Sequence, residues 1–128
     1  MWIYKDKNFE ESMIKSYKGF VYIITNHDKN MYYIGKKGFN KVKTYQKNKR
    51  KRRMLVESDW EEYTGSNERL NEDVANGDNI TKEILYLCKT KSEMSYLEAK
   101  EQFERDVLKD DKSYNQWIMV KIRKAHLK

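Results

Sequence analysis

Gly19-Phe20-Val21-Tyr22-Ile23-Ile24-Thr25 leads through the polar stretch Asn26-His27-Asp28-Lys29-Asn30 into Met31-Tyr32-Tyr33-Ile34-Gly35. Two β-branched and aromatic runs around five polar residues are the pattern of a β-hairpin. Alternation along the first run puts Phe20, Tyr22 and Ile24 on one face and Val21, Ile23 and Thr25 on the other. His27 falls in the turn, where a surface role is the default.

Charge changes abruptly just past the hairpin. Residues 36–53 contain ten cations (Lys36, Lys37, Lys41, Lys43, Lys47, Lys49, Arg50, Lys51, Arg52 and Arg53) and no acid, while the rest of the chain holds 17 basic against 20 acidic residues. A basic excess confined to one segment is the footprint of a contact to a polyanion, with nucleic acid as the leading partner. Phe39 and Tyr45 interleave with the cations and offer rings for stacking. The segment is expected to be a loop or a short helix. Its bland reading is a solvated loop or a localisation signal. A weaker cluster, Lys121, Arg123, Lys124 and Lys128, ends the sequence.

Further along, Ser58-Asp59-Trp60-Glu61 has capping-box spacing and predicts a helical turn that stops before Gly65. Ser66 or Asn67 caps a helix that uses Leu70 and Val74 and ends at Asn76-Gly77. Ile80–Cys88 reads as a third strand, with Cys88 in the core. Ser92 then caps a helix over 93–109, in which Met94, Leu97, Val107 and Leu108 cover one side, with Tyr96, Ala99 and Phe103 adjoining. Residues 1–18, with Trp2, Ile3, Tyr4, Phe9, Met13, Ile14 and Tyr17, predict a short arm or helix on the body. The order hairpin, helices, strand, helix implies an α+β fold with a small antiparallel or mixed sheet.

A chain of 128 residues suits one domain: an arm over 1–18, a core over 19–115 and a basic segment over 116–128. Leu, Ile, Val and Phe number only 26, but ten Tyr, six Met and three Trp make an aromatic-rich core affordable. Trp60 and Trp117 are expected as core anchors. One Cys and two His cannot build a zinc centre, and the five glycines form no phosphate-binding loop. With no disulfide, no membrane-length apolar run and no signal sequence, the expected location is the cytoplasm, including that of a phage-infected host.

Phe20-Val21-Tyr22, followed by Tyr33-Ile34-Gly35, resembles the GIY-YIG nuclease superfamily, with Phe20 where many members carry glycine. Ser58-Asp59-Trp60, Tyr63-Thr64-Gly65-Ser66, Tyr96-Leu97-Glu98-Ala99-Lys100 and Tyr114-Asn115 are similar to its Seg-like branch, found in many bacteriophage genomes. The resemblance spans roughly residues 19–128. It implies a metal-dependent endonuclease that hydrolyses DNA phosphodiester bonds with one Mg²⁺ or Mn²⁺. The alternative is a nucleic-acid-binding module on the same fold without turnover.

Phosphodiester hydrolysis needs an activated water, positive charge at the phosphorus oxygens and help for the leaving oxygen. Tyr22 and Tyr33 are the candidates for the water, one of them as general base with its pKa lowered by a neighbouring cation. Glu98 is the candidate metal ligand through oxygen. On a helical wheel, counted from Met94 at about 100° per residue, Glu98 falls at about 40°, beside the apolar stripe. Glu101 falls at about 340°, within the stripe, and is the runner-up. The resemblance also implies an arginine on a helix soon after the second tyrosine. No arginine stands there, so either one of Arg50, Arg52 and Arg53 returns to the site or Lys37 supplies the charge. The nucleic-acid contact is assigned to Lys36, Lys37, Lys41, Lys43, Lys49, Arg50, Lys51, Arg52 and Arg53. Gly35, Trp60, Tyr63, Gly65, Ser66 and Asn115 are expected around the site, with Asn115 fixing backbone near the metal.

Overall fold

Strand β3 (Gly19–Asn26) pairs antiparallel with β4 (Met31–Gly38), from Gly19 opposite Gly38 to Asn26 opposite Met31. The Asn26 side chain folds the turn by accepting the Asp28 and Lys29 amides at 3.0 and 3.1 Å. A computed structural model describes residues 1–120 and 124 of the chain; of the C-terminal basic cluster, Lys121, Arg123 and Lys128 lie outside the described residues.

Around this hairpin the order is β1 (Trp2–Tyr4), β2 (Lys7–Asn8), a 3₁₀ turn (Glu11–Met13), β3, β4, β5 (Asn40–Lys47), β6 (Arg50–Glu57), α1 (Glu68–Ala75), β7 (Ile80–Cys88) and α2 (Lys91–Glu104). Five strands form a mixed sheet in the order β2-β1-β7-β3-β4, and β5-β6 form a separate ribbon. The fold is α+β. β1 runs parallel to β7 and every other pairing is antiparallel.

The alternation read from β3 sorts the core onto two sides. Phe20, Tyr22 and Ile24 join Trp2, Phe9, Phe39, Trp60, Leu70 and Tyr114 on one side. Val21 joins Ile34, Cys88, Met94 and Val107 beneath α2 on the other. The first side is held by edge-on and stacked rings, with Trp2 4.8 Å from Phe20 and Phe9 stacked on Phe39 at 5.8 Å. Buried Lys82 donates to the Glu61 and Tyr63 carbonyls at 2.9 and 2.8 Å, so it ties the 58–66 loop to the sheet.

Several expectations are corrected. Residues 1–18 pack on the body as expected, but mainly as strands: Trp2 is buried, its indole N–H donates to the Trp60 carbonyl at 2.7 Å, and two strands of the sheet and a 3₁₀ turn come from this segment. The basic segment is neither loop nor helix but the β5-β6 ribbon. No helix starts at Ser58, because its hydroxyl donates to the Gly38 carbonyl at 2.6 Å and its amide to the Phe39 carbonyl at 2.9 Å, closing the foot of the ribbon. Thr90, not Ser92, caps α2 by accepting the Glu93 amide at 3.0 Å.

α2 stops at Glu104 rather than 109. Asp106 adopts φ 53°, its amide donates to the Phe103 carbonyl, and the Val107 amide donates to the Gln102 carbonyl. That is a Schellman stop with aspartate where glycine is usual. α1 ends the same way at Gly77 (φ 90°), as expected. The shortened helix leaves Phe103 and Leu108 exposed, along with Tyr96. Trp117 is not a core anchor either, since its ring is 70% exposed. Among the described residues, no helix is long and apolar enough to cross a membrane.

Candidate active site

A cleft of about 770 Å³ opens beside β4, between α1 and α2, and is lined by Tyr22, Tyr33, Lys36, Ser66, Arg69, Glu98, Gln102 and Asn115 among others. The hairpin supplies the tyrosines. Pairing between β3 and β7 slips by one residue between Val21 and Tyr22, and this bulge sits immediately beside Tyr22. The Tyr22 and Tyr33 rings lie 6.2 Å apart, and Tyr63 meets Tyr22 edge-on at 6.1 Å.

Gly35 is where the Tyr22 hydroxyl passes the backbone of β4. A methyl group there would fall on that hydroxyl and within 2.9 Å of the Tyr33 ring. Tyr22 is buried and cannot swing away. Gly35→Ala is therefore expected to cost about 1–3 kcal/mol of stability in denaturant titration. If it unfolds like the wild type, the hydroxyl is not seated as described.

Ile34, between Tyr33 and Gly35, is gripped from outside the sheet. The Asn115 carboxamide accepts the Ile34 amide at 3.0 Å and donates to the Ile34 carbonyl at 2.8 Å, as a neighbouring strand would. Gln102 Nε2 donates to the same carbonyl at 3.1 Å. Residues 112–114 extend this clamp through exchanges of backbone bonds with Tyr32. Asn115 thus fixes backbone at the cleft wall. Gln102 Oε1 is buried and, among the described residues, has no hydrogen-bond partner.

Glu98 reaches the cleft from α2, with its side chain 16% exposed and Lys36 Nζ 3.9 Å away. Burial raises its carboxyl above the ordinary value, and Lys36 opposes this. Lys36 is steadied by donating to Ser95 Oγ at 2.7 Å. Glu101 is occupied elsewhere: Tyr86 donates to it at 2.6 Å and Arg105 Nε at 2.9 Å. Burial pushes the Glu101 carboxyl up, but those two bonds outweigh it and hold the group low. Two of the three carboxylates in the cleft, Glu68 and Glu72, come from α1.

The tyrosines differ from expectation in one respect. Neither hydroxyl is lowered by a cation. Burial, then the neighbouring Tyr63 and Tyr33, push Tyr22 well above its ordinary value; burial also raises Tyr33, although its hydrogen bond with Ser66 at 3.1 Å works the other way. Both are neutral phenols at pH 7 in the metal-free protein.

Of the expected phosphate ligands, Lys36 lines the cleft and Lys37 does not. Lys37 lies 2.7 Å from the Asp59 carboxylate, with its ammonium 4.0 Å from the Tyr63 ring centre. Arg53 stands exposed on the ribbon, opposite Thr44, and is not among the cleft residues. The arginine that lines the cleft is Arg69, on the first turn of α1, with its guanidinium 5.8 Å from the Tyr114 ring centre. Reading the sequence in order missed it. With 40–57 set aside as an inserted ribbon, Arg69 is the first helical arginine after Tyr33. Trp60 is buried in the core and donates to Glu57 at 3.1 Å, and Gly65 packs on the Tyr33 ring.

Residues 2–118 match the family model described as "Putative endonuclease segE, GIY-YIG domain". The chain belongs to this GIY-YIG family. No curated protein and no solved structure matches it. The matched residues include the hairpin that carries the two tyrosines and the β5-β6 ribbon, which lies between the Tyr-Ile-Gly strand and the helix that bears Arg69. Among the described residues, no group of three or more His, Cys, Asp or Glu side chains is arranged to hold a metal ion. Glu98, as one carboxylate ligand in an open cleft, fits Mg²⁺ or Mn²⁺, which keep several waters and take further oxygens from a substrate phosphate.

Proposed function

We propose that the chain is a divalent-metal-dependent endonuclease that hydrolyses phosphodiester bonds in DNA. The observation that carries this reading is the convergence of Tyr22, Tyr33, Lys36, Arg69 and Glu98, from four separate elements, on one cleft. Glu98 would hold the metal through its carboxylate, and the bound ion would supply positive charge against the charge that builds on the substrate oxygens. The Tyr22 and Tyr33 hydroxyls orient the attacking water, and Tyr22 Oη takes its proton once ionised. Lys36 and Arg69 stabilise the oxygens of the phosphorane, Lys36 as a point charge and Arg69 as a bidentate fork. Asn115 and Gln102 keep the Tyr33-Ile34-Gly35 backbone from moving as the substrate binds.

Purified protein titrated on supercoiled plasmid, with Mg²⁺ and with EDTA, tests the reading. Relaxed or linear product is expected only with the metal. Binding without cleavage at any metal concentration would favour a nucleic-acid-binding module on the same fold. Replacing Arg69 by Lys keeps the charge and loses the fork; kcat is expected to fall about 10–10²-fold, less than the roughly 10²–10³-fold for outright loss of a transition-state hydrogen-bond donor, with DNA affinity little changed. Wild-type turnover in that variant would remove Arg69 from the chemistry.

A further inference from the structure

The ribbon has two unlike faces. β5 and β6 pair from Asn40 opposite Glu57 to Lys47 opposite Arg50. Asn48 and Lys49 close the hairpin with φ of 53° and 62°, the left-handed pair that suits a twisted two-residue turn. Residues opposite each other share a face, and neighbours along a strand alternate. The register therefore collects Lys41, Lys43, Lys47, Arg50 and Arg52 on one face with Tyr45 and no acid. The other face has Lys51 and Arg53, offset by Glu57.

Nothing within the described residues covers either face: every ribbon residue is exposed except half-buried Val56. A two-stranded hairpin alone is marginal in water, and Lys47 directly opposite Arg50 is a repulsive pair. Both costs are relieved when a polyanion lies on the five-cation face. Size decides which polyanion surface fits. Eight residues at about 3.4 Å each span roughly 27 Å, about eight base pairs of duplex. Two strands about 4.8 Å apart enter the major groove, at about 12 Å wide, but not the minor groove at about 6 Å.

We propose that the β5-β6 ribbon is a duplex-binding arm that lies in the DNA major groove with the face of Lys41, Lys43, Lys47, Arg50 and Arg52 turned to the DNA. The inference rests on DNA being the substrate and is independent of catalysis. The ribbon continues directly from β4, which carries Tyr33 and Lys36, so an arm seated in the groove presents the neighbouring backbone to the cleft. The cations bind phosphates along the groove walls, and Arg50 and Arg52 are the residues able to fork onto guanine O6 and N7.

The test is binding of the full chain to a short labelled duplex in EDTA, where nothing is cut, over a series of salt concentrations. Changing Lys41, Lys43, Lys47, Arg50 and Arg52 together to Gln should flatten the slope of log affinity against log salt by about 2.7 units if the three lysines alone meet phosphates and by about 4.5 if all five do, at about 0.9 per phosphate contact. Lys51→Gln with Arg53→Gln should change it by less than about one unit. Dimethyl sulfate footprinting of the wild-type complex needs no variant: guanine N7, in the major groove, should be protected and adenine N3, in the minor groove, should not. Equal loss per charge from the two faces, an unchanged slope, or protection of adenine N3 alone would overturn the proposal. A chain that gives the expected footprint but never nicks plasmid removes the nuclease reading and leaves this one standing. A chain that nicks while the fivefold variant keeps its slope does the reverse.

Discussion

Glu98→Ala is expected to abolish metal-dependent nicking of supercoiled DNA, a loss of about 10³-fold or more, since the transition-state charge stabilisation a bound cation supplies amounts to several kcal/mol. Its fold should be intact. Burial raises the Glu98 carboxyl in the folded protein, so the ionised form is disfavoured there. Such a group favours the folded state below its unfolded pKa, and the benefit is lost as pH rises through the folded one. At neutral pH the carboxylate is therefore a cost, and the Ala variant should melt at or above the wild-type temperature. DNA affinity in EDTA should not move. Isothermal titration with Mn²⁺ supplies a readout apart from turnover: the heat seen with wild type should vanish. Near-normal nicking by Glu98→Ala, with Glu101→Ala inactive, would move the metal to Glu101, against the two hydrogen bonds that already occupy that carboxylate. Protons compete with the cation for Glu98. Activity should accordingly fall on acidification, at a pH that moves down as the metal concentration is raised.

Tyr22→Phe should lower kcat by about 10²–10⁴-fold with little change in DNA affinity, because the ring and its packing stay and only the hydroxyl leaves. Tyr33→Phe should cost less, as its hydroxyl is shared with Ser66. The pH profile carries the sign. Burial holds Tyr22 well above its ordinary value, so the phenolate that accepts a proton is a small fraction at pH 7 and grows tenfold with each pH unit. Wild-type kcat should climb with pH through the neutral range, and the Phe variant should be flat. A flat wild-type profile together with a slow Phe variant would make Tyr22 an orienting group and move proton abstraction elsewhere. Full turnover in both Phe variants would make the tyrosines core residues.

The strands with strong local signals were legible. β3, β4 and β7 are dense in β-branched and aromatic residues with polar breaks between, and α1 carries Asn67 at its start and Gly77 at its end. α2 was misjudged at both ends for definable reasons. Thr90-Lys91-Ser92-Glu93 offers two hydroxyls, and the one with glutamate three residues later is the cap; its stop uses Asp106 in a conformation that sequence reading reserves for glycine. The basic segment hid its strand character because repulsion among cations reads as disorder, while Val42, Thr44 and Tyr45 sit among them, and Met54, Leu55 and Val56 just after them, as weak β signals.

What the sequence determined by itself was the hairpin, its two-faced alternation and the concentration of charge in 36–53, because each follows from local periodicity or spacing; the candidate roles of Tyr22, Tyr33 and Glu98 came from the resemblance that their motifs carry. The tertiary structure decided what depends on contacts between distant segments. Trp2 enters the core only because β1 finds β7, some 80 residues on, and Trp117 stays out of it. Arg69 rather than Arg53 reaches the cleft because the chain between β4 and the Ser58 loop pairs with itself and projects as a ribbon. The tyrosine hydroxyls are raised rather than lowered because burial, which no local pattern encodes, is the largest influence on both and outweighs the Ser66 hydrogen bond at Tyr33. The two faces of the ribbon exist only once register is set, since a slip of one residue would exchange them.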